Sequence, residues 1–123
     1  MENCNSHILE ILNKILLLQK QEFDDNLAGC DRPFLGPTTS LNTYNTRPII
    51  LYNRYTALPW SFTISDDGQT TNIFRIEEIE QCSVTIRLLK YENNIYTNTN
   101  QFVTIDLSTI GAIRCLSDIY ITL

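Results

Sequence analysis

Apolar residues near the start of the chain recur at steps of three and four positions, which is the spacing of an amphipathic helix. In residues 7–23, polar side chains such as Glu10 and Lys14 fall largely between these positions. The apolar positions are Ile8, Ile11, Leu12, Ile15, Leu18 and Phe23. The pattern predicts a helical N-terminal segment over residues 1–23, in which Asn5 or Ser6 can cap the first turn.

The apolar stripe of this helix is wider than packing against a small sheet requires, because several leucines extend it. Two interpretations stay open: the helix packs only on its own domain, or it also contacts a neighbouring subunit. The second interpretation gives five candidates for an assembly interface. They are Ile8, Leu9, Leu12, Leu16 and Leu17.

Beyond Phe23 the helical period stops, and residues 24–48 contain three of the four prolines, which predicts loops. Short runs rich in Ile, Val, Thr, Phe and Tyr follow at 48–53, 57–64, 72–79, 83–91 and 101–107, with one or two more segments within 110–123. Several of these runs alternate in polarity, as half-buried strands do. Their spacing favours an all-β sandwich or barrel over βαβ units.

We therefore predict a mainly β protein with an N-terminal amphipathic helix. Residues 30–123 are expected to form one β-sandwich or jelly-roll-like unit, and residues 1–123 a single domain. Turns are expected at Asp66-Asp67-Gly68 and Asn93-Asn94, since these residue types tolerate left-handed backbone angles. The polar stretch at residues 93–101 is expected to be a surface loop.

Alternation in the run at residues 72–79 assigns side chains to faces. In a regular strand Arg75 and Glu77 share one face, and Phe74, Ile76 and Glu78 share the other. Phe74 and Ile76 are then on the core side, and Arg75 with Glu77 is on the outer side, where both are candidates for an assembly interface. On that interpretation Arg75→Glu weakens assembly and spares the stability of the isolated subunit.

Composition narrows the classes of partner. The chain has 123 residues, 43% of them hydrophobic, which suits one compact domain. Nine basic and fourteen acidic residues give a net charge of −5, and the basic residues are scattered, so nucleic acid is not an expected partner. Glu2 stands where a signal peptide carries positive charge, and neither export nor a membrane span is expected.

The four cysteines are Cys4, Cys30, Cys82 and Cys115. They lack the close pairs that make a zinc site easy to assemble, and His7 is the only histidine, so no metal or cofactor is predicted. A zinc site of four distant thiolates, buried reduced thiols and disulfide crosslinks remain alternatives for these residues at this point. For Cys115, a nucleophile is a further alternative.

Groups of acidic residues occur at Asp24-Asp25, at Asp66-Asp67 and between residues 77 and 80. Neighbouring carboxylates in a strand point to opposite faces, and in a turn they point to water, so neither arrangement separates their pKa values for acid and base catalysis. No phosphate-binding loop or nucleophile motif is present either. No catalytic residue is predicted, and the protein is not expected to be an enzyme.

Three ordered blocks resemble one known family. Residues 103–116, VTIDLSTIGAIRCL, are similar to a closing block of the approximate form V-D-L-S-C-F-C-A-I-Q-C-L. Residues 30–52 contain a cysteine, then P-F-L-G, then N-T-R-P before an apolar strand, and residues 72–90 run from I-F-R through Cys82 into a strand. This arrangement resembles the spore coat protein Z family, the CotY/CotZ/ExsY-like coat and exosporium structural proteins.

The resemblance implies a structural protein of the bacterial endospore surface that self-assembles into hexagonal sheets hardened by disulfides. It implies synthesis in the mother-cell cytoplasm without a signal peptide, with the chain itself and other coat or exosporium proteins as partners. Cys30, Cys82 and Cys115 match family cysteines, and Cys4 matches one before the helix. Thr109 and Gly111 stand where the family carries cysteines, which suits a specialised anchor or appendage subunit with fewer crosslinks.

A second function stays open. A β-sandwich that binds protein or carbohydrate could dock on the spore surface layer without forming it. In that case four aromatic residues would form its binding face. They are Tyr44, Tyr52, Tyr55 and Trp60.

Overall fold

The computed structural model describes residues 6–19, 45–65 and 68–122. Helix α1 spans Ser6–Gln19. The strands are β1 (Ile49–Asn53), β2 (Phe62–Thr63), β3 (Thr70–Thr71), β4 (Phe74–Glu80), β5 (Ser83–Glu92), β6 (Ile95–Asp106) and β7 (Ile110–Cys115). A short 3-10 turn, Leu107–Thr109, joins β6 to β7.

Five strands form one antiparallel sheet in the order β6-β5-β4-β1-β7, and β2 pairs with β3 in a separate hairpin. The expected mainly β fold with an N-terminal helix is confirmed. The expected sandwich is not confirmed, because the described layer against the inner face of the five-stranded sheet is α1 together with the end of the β2–β3 hairpin. The run predicted at 57–64 is a strand only at Phe62–Thr63.

Helix α1 depends on the core beneath it. Ile8, Leu12 and Ile15 face the sheet, and the last two are completely buried. A helix of 14 residues is marginal by itself in water, whereas each buried Leu or Ile side chain contributes about 1.5–3 kcal/mol. The helix is therefore part of the domain core, and residues 20–23 of the predicted helical segment lie outside the described part of the chain.

A β-bulge in β4 changes the predicted facing of the strand. Ile76 pairs with Ile86 and Glu78 pairs with Thr85, so Glu77 is an extra residue without a register partner. The bulge turns both Glu77 and Glu78 outward and returns the next residue, Ile79, to the core side. The prediction that Phe74 and Ile76 face the core is confirmed, and the prediction that Glu78 shares their face is wrong.

The β5–β6 hairpin turns at Asn93-Asn94, as predicted. Both asparagines have positive φ angles, 52° and 63°, which two-residue hairpin turns require. Ile95 pairs with Glu92 directly after the turn, so β6 begins at once. The predicted surface loop over residues 93–101 is therefore wrong from residue 95 onward, because pairing with β5 holds these polar residues in a strand.

The hairpin generates a prediction about its second turn residue. Asn94→Val should lower the free energy of unfolding by about 1–2 kcal/mol, because a β-branched side chain is strained at positive φ. Asn94→Gly is the matched control, since it loses the same side-chain contact with the Tyr91 hydroxyl but tolerates this backbone angle. Urea unfolding measures both, and an equal loss in the two variants would place the cost in the Tyr91 contact instead.

Candidate functional site

Four consecutive residues, 45–48, form a polar cluster that holds the C-terminal segment. The Asn45 side chain accepts a hydrogen bond from the Ile121 amide at 3.0 Å and donates one to the Ile121 carbonyl at 2.9 Å. Thr46 and Ile119 exchange main-chain hydrogen bonds at 3.1 Å and 3.0 Å. The Asn45 amide group thus acts as a further peptide unit and extends the pairing by one step.

Arg47 adds a buried ion pair to this cluster. Its guanidinium meets both carboxylate oxygens of Asp118, at 2.6 Å and 2.9 Å, and both side chains are only 5% exposed. The main-chain amide of Arg47 donates to Gln19 Oε1 at 3.1 Å, while Gln19 Nε2 donates to the Ile76 carbonyl at 2.8 Å. One buried glutamine therefore joins the end of α1 to the cluster and to β4.

Arg75 binds to the polar cluster from strand β4. Its Nε donates to Thr46 Oγ1 at 2.9 Å, and its Nη2 donates to the Asn45 carbonyl at 3.2 Å. Arg75 is only 7% exposed. Arg75 lies on the outer face, as predicted, but residues 45 and 46 of the same chain cover it there, so it is not presented to a neighbour as the expected assembly interface requires.

The bulge residue Glu77 joins two arginines. Its Oε2 accepts from Arg75 Nη1 and from Arg87 Nε, each at 2.7 Å. Arg75 and Arg87 are direct register partners in the β4–β5 ladder, so a carboxylate between them offsets their repulsion. Arg87 also donates to Asn98 Oδ1 at 2.8 Å and lies 4.5 Å from the centre of the Phe102 ring.

These contacts hold the described part of the fold together. Within the described ranges, no three His, Cys, Asp or Glu side chains converge as metal ligands would. Of the carboxylates predicted to be solvated, Glu78 and Glu80 are exposed, whereas the Glu77 side chain is 20% exposed and pairs with two arginines, so the prediction is wrong for Glu77. Residues 24, 25, 66 and 67 lie outside the described part. The helix that the structure describes lacks the length and apolar character of a membrane span.

Two of the four cysteines predicted to form crosslinks lie in the described part of the chain, and two do not. Cys4 and Cys30 lie outside the described residues, while Cys82 follows β4 and Cys115 ends β7, and both of the latter are disulfide-bonded. Cys115 is opposite Ile49, which is opposite Phe74 at the start of β4. Cys82 and Cys115 are thus about 20 Å apart along a seven-residue strand, too far to bond to each other in one chain.

The five helix residues predicted to form an assembly interface differ in burial. Ile8 and Leu12 are buried in the chain's own core, which corrects the expectation that they meet a neighbour. Leu9 and Leu16 are partly buried against the same core. Leu17 is 42% exposed and is the member of the set that the structure presents to solvent.

The aromatic candidates for a binding face do not form a continuous surface. Tyr44 lies outside the described residues, Tyr52 is partly buried, and Tyr55 is 74% exposed on a turn. Trp60 packs against the core and stacks on Phe62 at a centroid distance of 5.9 Å. The indole therefore acts mainly as a packing residue.

A second aromatic pair lies beside the β5–β6 turn. The ring centroids of Tyr91 and Tyr96 are 4.5 Å apart. Burial, and to a smaller extent the neighbouring Tyr91, raises the pKa of Tyr96 above 10.0. The shift disfavours ionisation of Tyr96, and the two rings contribute contact area beside the turn.

Gly111 explains one departure from the family pattern stated above. A Cβ atom at this position would lie 2.9 Å from the Arg54 Cα, which is backbone and cannot turn aside as a side chain can. A cysteine at residue 111 would therefore require the turn after β1 to move. In this chain the turn packs closely against β7 at the position where the resemblance to the family leads one to expect a cysteine.

A family model for spore coat protein Z matches residues 1–101. The chain belongs to the spore coat protein Z family. The match includes the blocks at residues 30–52 and 72–90 and ends before the closing block at 103–116. Membership gives the chain a structural role in the spore coat and a place at the spore surface. No curated protein and no solved structure matches the chain.

Sequence reasoning found the N-T-R-P stretch as a family block but assigned no role to it. In the structure these four residues are the polar cluster, and their partners lie 28 to 76 positions away. The signal that could have suggested a structural role was the combination of polar residues directly before a buried strand. Buried polar groups need partners, so such a stretch predicts a network.

The burial of Arg75 generates a prediction that replaces the one from the sequence. Arg75→Glu should destabilise the isolated chain by about 3–5 kcal/mol, because it breaks a buried ion pair and places two carboxylates together. Glu78→Arg reverses a charge on the same strand at an exposed position and should change stability by no more than about 0.5 kcal/mol. Urea unfolding of dispersed protein compares them, and two equally small effects would show that Arg75 is solvated.

Proposed function

We propose that this chain is a structural, self-assembling subunit of the bacterial endospore surface, in the outer coat, the exosporium or an appendage. Its partners are further copies of itself, as hexamers or a larger ordered lattice, and other coat or exosporium proteins. The observation that carries the proposal is membership of the spore coat protein Z family. That membership also favours a non-catalytic role.

The fold supports this role because buried ion pairs hold its segments rigidly together. The ion pair of Arg47 with Asp118 and the pairing of Glu77 with two arginines join segments that are distant in sequence. Removing one partner from a network of buried charged groups lowers the stability of the fold strongly, because the remaining charge stays buried without a partner. A subunit so connected keeps its shape under load, which suits a protective layer.

Disulfides are proposed to reinforce the assembly at a small number of points. The chain has four cysteines, and Cys82 with Cys115 lie at opposite ends of the sheet. Both are already disulfide-bonded, so a bond from either one to a neighbouring subunit forms by thiol–disulfide exchange, and each unstrained bridge contributes about 2–4 kcal/mol. Burial and strand pairing then supply most of the cohesion between subunits.

A binding or anchoring module is the second candidate. The turn after β1 exposes two large apolar side chains, with Tyr55 74% and Leu58 63% accessible. Exposed apolar residues on a turn suit attachment to a surface layer that other proteins have formed. In this case the chain would remain monomeric or dimeric at high concentration.

Light scattering and electron microscopy of the purified protein, with and without reductant, test the proposal. We expect hexamers or larger ordered particles that persist after reduction, because crosslinks are few. Denaturing gels without reductant should show ladders that collapse to monomer when dithiothreitol is added. Particles that dissociate completely in reductant alone would show that disulfides dominate, and a monomer under all conditions would favour the anchoring module.

A further inference from the structure

Among the strands that the structure describes, β6 is a long edge of the sheet. It has 12 residues, and among the described strands it has a neighbour on one side only, β5. Protein sheets normally protect such edges with proline, lysine or short strands, since unpaired N–H and C=O groups invite another strand. Residues 95–106 contain no proline, lysine or arginine, and their only charged side chain is Asp106.

The second half of β6 is the part best suited to pairing. An irregularity opposite the middle of β5 interrupts the strand, and five consecutive register pairs follow, from Phe102 with Arg87 to Asp106 with Ser83. The side chains of this half alternate between the two faces: Ile105 is buried in the core, whereas Phe102 is 48% exposed on the outer face. Residues 102–106 thus combine a regular backbone with an exposed aromatic side chain.

From this edge we infer that residues 102–106 of β6 pair antiparallel with the same residues of a second copy, across a twofold axis at Thr104. This inference rests on the proposed self-assembly and names one of its contacts. Antiparallel pairing is self-complementary, because a twofold axis repeats the same donors and acceptors on both strands. A second copy therefore fits this edge without a second kind of surface.

The charges near the edge favour this occupant and this register. The chain has a net charge of −5, so two copies repel each other on average. A twofold axis at Thr104 places Asp106 of one copy opposite Phe102 of the other, and the two Asp106 side chains are then roughly 14 Å apart along the strands. Each Phe102 ring is backed by the Arg87 guanidinium at 4.5 Å, so each carboxylate approaches a positively charged region.

Charge substitutions at Thr104 test the inference. The axis brings position 104 against itself, so Thr104→Lys or Thr104→Glu alone should weaken association roughly tenfold or more through like-charge repulsion. An equimolar mixture of the two variants should recover the parent's association, because opposite charges then meet. Analytical ultracentrifugation over a concentration series measures all three samples, and thermal melts establish that each variant is folded.

Thr85→Lys is the matched control. Thr85 is the register partner of Thr104 on the same outer face, and the two hydroxyls are 2.9 Å apart, so either substitution loses the same contact. Thr85 lies one strand further from the edge, and Thr85→Lys should associate like the parent. An equal loss at both positions would point to face-to-face docking and overturn pairing through the edge.

Amide hydrogen exchange of the parent gives a second readout that needs no substitution. Alternate amides within residues 102–106 should exchange more slowly in assembled than in dilute protein. A parent that assembles with unchanged exchange there, or a variant mixture that does not recover, overturns the edge pairing while self-assembly stands. A parent that remains monomeric overturns both proposals.

Discussion

The buried ion pair between Arg47 and Asp118 is the interaction on which the rest of the described structure depends. Both side chains are 5% exposed, and two short contacts join them. Removing two charges from water costs several kcal/mol unless the geometry is good and the remaining donors are satisfied. The pair therefore fixes where the C-terminal segment lies, and Ile119 and Ile121 then complete the hydrogen bonding of residues 45 and 46.

The residues that hold the chain together are different from those exposed to neighbouring subunits. Residues 45–48, Gln19 and Arg75 satisfy one another inside the chain, so this part of the family block has a structural role here. Among the described residues, the surfaces open to neighbours include the edge of β6, the turn at Tyr55 and Leu58, and the exposed side of α1 at Leu17. A rigid subunit with an open strand edge is well suited to a layer built from repeated copies.

The periodic features of the chain could be predicted from sequence, because they depend on near neighbours. The stripe of α1, the turn at Asn93-Asn94 and the core facing of Phe74 and Ile76 all follow from local spacing. The bulge at Glu77 could not be predicted. One extra residue reverses the alternation of faces along the strand, and no residue type in this run marks the position where that happens. The burial of Arg75 was also hidden, because alternation assigns a face but does not reveal the distant segment that covers it.

Amide hydrogen exchange of an Asn45→Ala variant tests most directly whether residues 45–48 couple the helix to the C-terminal segment. The substitution leaves the Ile121 amide and carbonyl without their partner, at a cost of about 1–3 kcal/mol. Coupling predicts that the amides of Ile119, Ile121 and the last turn of α1 at Gln19 lose protection together. Faster exchange confined to Ile121, with α1 unchanged, would contradict it.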